Sequence, residues 1–159
     1  MAQTAPDTTT EQTWHKKYAI ELNHSVWTLL GKANRTLEEN AAMLHTAHAS
    51  HVHWEATGTA VSTRGEWLIS HVYAVLNRPE AALYHAQRCL DLCQESNVKD
   101  FDIAYGYEAM ARAYALLGQR EDYEKCLTLA QEAGERIQDP EDREIFFGDF
   151  TGGPWYGLR

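Results

Sequence analysis

"HVYAVLNRPEAALYHAQRCLDL" (residues 71–92) and "RAYALLGQREDYEKCLTLAQEA" (residues 112–133) lie over one another without a gap. The overlay places Tyr73 over Tyr114, Leu76 over Leu117, Asn77 over Gly118 and Cys89 over Ala130, at a constant offset of 41 residues. In each copy an apolar helical run stops at a residue that tolerates the left-handed conformation, and a second helical run follows at once. A recurrence of this kind marks a helix–turn–helix unit, in which each hairpin buries its apolar face against the next.

The flanking sequence reads the same way. A first helix spans Thr10 to Leu30 and is closed by Gly31, and "NRTLEEN" (34–40) supplies Thr36 and Glu39 as a capping box for a second that runs to Ala56. A third spans Ala60 to Leu76, a fourth carries Pro79 in its first turn and ends near Ser96, and a fifth starts at Asp100 or Asp102 and is closed by Gly118. A sixth runs from Arg120 to Gln138, and "DPEDRE" (139–144) gives a cap and acidic first-turn residues to a last short helix. No segment alternates as a strand does. The expected architecture is all-α: stacked antiparallel helical hairpins, about three of them, with a short C-terminal helix and an aromatic tail. Residues 1–9 read as a disordered start, 10–148 as a single domain, and 149–159 as a tail docked on it.

At Tyr114 and Gly118, and at Tyr73, Asn77 and Ala82, the chain resembles the tetratricopeptide repeat (TPR) family, whose unit sets a tyrosine four residues before a turn glycine and small residues on its second helix. The resemblance covers residues 64–135. The chain departs from the family in its longer period, the usual one being ~34 residues, in Tyr123 at a small-residue position, in lacking a closing proline, and in Trp67, one place late for the first aromatic. On the fifth helix Ile103, Tyr107, Met110, Ala111, Tyr114 and Leu117 form a core stripe, while Tyr105, Glu108, Arg112 and Ala115 form a second face. Counted back by the offset, that second face corresponds to Arg64, Trp67, His71 and Ala74. The resemblance implies that it lines a concave groove where peptides or small ligands bind. Trp67 and Tyr105 would then be walls, and Arg64, His71, Glu108 and Arg112 the polar groups that fix orientation. Aligning the first helix by Gly31 adds Tyr18 and Glu21. Two arginines beside aromatics suit a carboxylate, so the expected partner is a peptide or protein segment or a small acidic molecule.

"LHTAHASHVHW" (44–54) is the other concentration of chemistry. His48, His51 and Glu55 share a helix face that continues Leu37, Ala41 and Leu44, whereas His45 and His53 fall on other arcs and read as solvated. Two imidazoles and a carboxylate at one-turn steps can hold zinc or another divalent metal. A small metal-binding protein or metal-dependent enzyme is therefore an alternative to the binding module, and a purely structural module is a third. The stretch lacks the HExxH pattern, paired ExxH motifs and thiolates. The plainer reading has His48 and His51 bonded to buried side chains. No nucleophile elbow or glycine-rich phosphate loop is present, so nothing identifies an enzyme and no cofactor is expected.

A net charge of −9, from 14 basic and 23 acidic residues, argues against a nucleic-acid partner. Cys89, Cys93 and Cys126 form no CxxC pair, which fits a reducing, cytoplasmic setting with the thiols as packing residues. No apolar run approaches the ~20 residues of a membrane span. Glu108 and Arg112, four apart, also read as an ordinary surface ion pair, and Asp100 and Asp102 as helix caps. The tail "FFGDFTGGPWYGLR" (146–159) carries Phe146, Phe147, Phe150, Trp155 and Tyr156, which are costly to leave in water. It is expected to cap the open end of the stack, with a lid over the groove or insertion into a second copy, as in a homodimer, as the other possibilities.

Overall fold

The two aligned turns close in the same way. In the computed structural model, which describes residues 8–58, 62–98 and 100–158, Asn77 (φ 57°) and Gly118 (φ 70°) both take the left-handed conformation. The Arg78 N–H donates to the Tyr73 carbonyl at 2.9 Å and the Gln119 N–H to the Tyr114 carbonyl at 3.0 Å. One step inside, Asn77 donates to Ala74 and Gly118 to Ala115. This paired pattern is the Schellman motif, which satisfies carbonyls the helix end would leave bare. Asn97 (φ 51°) ends a third helix likewise, with Val98 donating to Cys93 at 2.9 Å. Asparagine can stand in for glycine here because it tolerates the left-handed region better than other side chains.

Among the described residues these turns and the other connections join seven α-helices: α1 (Thr8–Leu30), α2 (Leu37–Thr57), α3 (Ser62–Val75), α4 (Pro79–Glu95), α5 (Phe101–Leu117), α6 (Arg120–Glu135) and α7 (Pro140–Gly152). The fold is all-α, with no strand among the described residues. Each helix packs on its successor, and in addition α3 packs on α5 and α5 on α7. The odd-numbered helices thus run along one side of the stack, with α7 seated on α5 as α5 is on α3. None of the described helices is long and apolar enough to cross a membrane.

Caps fix several boundaries. Thr36 and Glu39 make the expected reciprocal box, and Asp139 accepts from the Glu141 and Asp142 amides. Asp100 and Asp102 do not cap with their side chains: Asp100 holds the N-cap position with φ 64° and no such bond, and the Asp102 carboxylate is turned inward to Thr63 and Arg64. α6 stops at Glu135, short of Gln138, and α7 runs on to Gly152, so Phe146, Phe147 and Phe150 belong to a helix. The expected start of the third helix at Ala60, and residues 1–7 of the expected disordered start, lie outside the described residues; Thr8 and Thr9 already belong to α1.

Among the described residues two large apolar clusters fill the stack, with a small third of Ala74, Ala82 and Ala113 where α3, α4 and α5 meet. One holds Val26, Met43, Ala47, Leu68, Ile69 and Val72 from α1–α3; the other gathers Ala104, Tyr105, Tyr123, Phe146, Phe150 and Trp155 from α5–α7 and the tail. Trp67 packs against both. The buried face of α2 is Met43, Ala47, Ser50 and His51, displaced from the stripe that began at Leu37, whose side chain is 83% exposed. Small residues decide this register: Ala47 permits close approach, and the Ser50 hydroxyl donates to the Ala19 carbonyl of α1 at 2.8 Å. On α5 the face with Tyr105, Glu108, Arg112 and Ala115 is buried, while Tyr107, Tyr114 and Leu117 of the expected core stripe are only partly so. α5 is the central helix and is covered by α3, α4, α6 and α7.

Candidate functional site

A cleft of about 320 Å³ opens between α1, α3, α5 and α7. Its aromatic lining is continuous. Trp27 of α1 stacks near-parallel on Trp67 of α3 at 6.0 Å, Tyr105 of α5 meets Trp67 edge-on at 5.1 Å, and Phe101 lies 4.8 Å from Tyr105. Leu68 and Ile145 complete the apolar surface. Gly106 lets α4 close on α5 behind it, since a Cβ there would stand 2.6 Å from Leu90.

Polar groups are few and anchored. The Arg64 guanidinium, on a side chain 64% exposed, lies 5.3 Å above the Phe101 ring and donates to Asp102 at 3.1 Å. Thr63 donates to the same oxygen of Asp102. Across the cleft the Tyr105 hydroxyl donates to Asp149 of α7 at 2.6 Å; burial first, and then the carboxylate, push this phenol's pKa upward, so it stays a donor.

Of the six expected groove residues, Arg64, Trp67 and Tyr105 line the cleft. His71, Glu108 and Arg112 lie behind the Trp67 wall. The Trp67 indole N–H donates to Glu108 at 3.0 Å, across one full repeat offset. Glu108 and Arg112 form an ion pair, each side chain at most 4% exposed. Arg112 also donates to the Pro154 carbonyl at 3.3 Å and lies 5.2 Å from the Trp155 ring. The surface-pair reading of Glu108 and Arg112 is thereby corrected, because the chain's own tail covers them. The tail does two things: the Phe146 ring of α7 packs on Tyr105, closing the end of the stack, and Trp155 folds over Arg112 and packs on Tyr123 and Phe150.

His71 stacks on Trp67 at 5.2 Å, and its buried Nδ1 has no hydrogen-bond partner. Burial, reinforced by the Arg112 charge, pushes its pKa from 6.5 down to about 3. Folding therefore favours neutral His71, and the stability it contributes is complete above pH 6.5 and lost as pH falls toward 3. Each group of this kind adds up to about 1.4 kcal/mol per pH unit to the slope. His71→Phe, which keeps the stacked ring, is expected to flatten the fall of melting temperature between pH 6.5 and 4.5. An unchanged slope would show that His71 is not buried neutral.

The histidine-rich stretch serves a different junction. Glu66 of α3 sits between two imidazoles, with His51 Nε2 at 3.2 Å and His85 Nδ1 at 2.6 Å. Burial alone would raise its carboxyl, but the bonds from His51 and His85 outweigh that and hold it down to about 2. His48 bonds the Tyr73 hydroxyl at 3.2 Å, and Glu55 reaches His51 at 3.4 Å from the solvent side. Gly65 is required beside them: a Cβ there would stand 2.1 Å from His51 Nδ1. His48, His51 and Glu55 thus each have protein partners, and among the described residues no group of three or more His, Cys, Asp or Glu is placed to hold a metal ion. His53, expected to be solvated, is partly buried with its Nδ1 2.9 Å from that of His15.

The 41-residue offset, carried outward, reaches two cleft residues that sequence reading passed over: Asn23 precedes Arg64 by one offset, and Asp149 follows Glu108 by one. Alignment by Gly31 misses Asn23 because the turn after α1 is longer, Gly31 to Thr36. Tyr18 stacks instead with Trp14 and lies beside His53, and Glu21 is on the surface near Lys17. Trp27, Phe101 and Ile145 carried no comparable signal, since each reads as an ordinary apolar helix residue. The three cysteines are free and buried, with Cys89 at the cleft floor. No protein-family model matches the chain, and no curated protein or solved structure matches it either.

Proposed function

We propose that this chain is a non-enzymatic, TPR-like binding module that takes a small ligand, or the end of a peptide segment, in the cleft between α1, α3, α5 and α7. The observation that carries this reading is the cleft itself: about 320 Å³, walled by Trp27, Trp67, Phe101 and Tyr105, with a few fixed polar groups at its mouth. Small-molecule sites are concave and mostly apolar, have a few convergent polar groups, and run from roughly 300 Å³ upward. The TPR-like part of the proposal draws support from the matching turns at Asn77 and Gly118 and from the Trp67–Glu108 contact between equivalent positions.

An uncharged probe tests it without presuming the ligand's charge. Neohexyl alcohol, titrated to millimolar concentration, is expected to shift the Trp27 and Trp67 indole N–H signals in a nitrogen-15 correlation spectrum and to leave Trp14 unmoved. Trp67→Leu, confirmed folded by circular dichroism, should weaken the response about tenfold, the scale of losing one large aromatic contact. Uniform or absent shifts would remove the cleft as a binding site.

A further inference from the structure

We infer that the ligand of this cleft is a free small organic cation, an ammonium group on a compact apolar body. The inference rests on the cleft being a binding site and adds the charge of what enters it. With Arg112 sealed beneath the tail against Glu108, Arg64 is the one guanidinium among the described cleft-lining residues, while Asp102 and Asp149 place two carboxylates there. The chain as a whole carries −9. A field of this sign draws cations toward a low-dielectric concavity and repels anions.

The walls point the same way. Aromatic faces bear negative quadrupole charge and attract cations most strongly when the cation is desolvated. Trp27, Trp67, Phe101 and Tyr105 line one cleft and touch in sequence, with ring separations between 4.8 and 6.0 Å. The protein already fills one such place itself, with the Arg64 guanidinium over Phe101 and bonded to Asp102. Arg64 is an internal cation on a largely exposed side chain, so an incoming ammonium competes with it. Asp149 lines the cleft, is exposed and accepts a hydrogen bond from Tyr105 through one oxygen, so its carboxylate keeps further acceptor capacity.

This makes the sign of one mutation decisive. A carboxylate ligand would need Arg64, whereas an ammonium ligand is opposed by it. Three probes of similar shape separate the readings on the full-length chain: choline, its uncharged isostere neohexyl alcohol, and pivalate. Choline is expected to bind about tenfold more tightly than neohexyl alcohol, within the range of a desolvated cation–π site, and pivalate more weakly than either. Arg64→Ala should raise choline affinity several-fold, and Asp149→Asn, which keeps a partner for Tyr105, should lower it. Stronger binding of pivalate or of the alcohol than of choline, or weaker choline binding by Arg64→Ala, would overturn the cation assignment while leaving the cleft a binding site. Failure of all three probes to shift the cleft indoles would overturn both.

Discussion

Arg112→Ala is expected to lower the unfolding free energy by about 3–5 kcal/mol, the cost of leaving one member of a buried ion pair uncompensated. Glu108 is 1% exposed and would keep only the Trp67 indole as a partner, while the cation facing Trp155 and the Pro154 carbonyl would vanish. Urea unfolding followed by circular dichroism measures the loss. Because the penalty comes from an orphaned charge, Glu108→Gln combined with Arg112→Met should cost less than the sum of the two single changes. Gln retains an acceptor for Trp67, and Met fills part of the space of the arginine stem. A single-mutant loss below about 1 kcal/mol, the scale of an exposed pair, would show that solvent reaches the pair.

Phe146→Ala should act on a similar scale, about 3–5 kcal/mol, through a large cavity at a fully buried ring. Phe146 stacks with Phe150, meets Tyr105 edge-on, and lies where a Cβ on Gly134 would stand 2.4 Å from the ring. Its loss removes the ring contact by which α7 packs on Tyr105 of α5. A wall of the cleft, Ile145 and Asp149, should go with it. Calorimetry would read the stability loss, and limited proteolysis should show new cleavage within residues 140–158. Unchanged protease resistance would place the grip on α7 elsewhere, on Trp155 and Tyr123.

The hairpin architecture was readable because it depends on local chemistry repeated at a fixed interval. Asn77 and Gly118 end helices by the same backbone geometry, and Thr36 with Glu39 starts one by side-chain reach alone, so three- and four-residue patterns suffice to find them. The site was half legible. Arg64, Trp67 and Tyr105 came from the repeat register, but the register could not tell which of its polar positions remain open. That depended on residues 149–158 folding back, a contact between segments 42 residues apart in sequence. The histidines were legible in part: that His48 and His51 bond to other side chains was expected, but which side chains was not. Their helical spacing placed His48, His51 and Glu55 on one arc, while the partners that define the junction, Glu66, Tyr73 and His85, lie on other helices. Periodicity within one helix carries no information about which neighbour supplies the counter-group.

The line of contacts from Trp155 through Arg112 and Glu108 to Trp67 and Trp27 runs from the C-terminal tail to α1. Stacked repeats held only by nearest-neighbour surfaces can fray one unit at a time. Here a single string of rings and charges links the last segment to the first hairpin, so opening the tail uncovers the Arg112–Glu108 pair and opening α1 bares the Trp67 ring. Amide protons of α3 and α5 should therefore exchange with solvent by the same global event, not by stepwise loss of terminal helices. A ligand bound in the cleft would rest on that string, and its binding energy would be felt as slowed exchange along the whole stack.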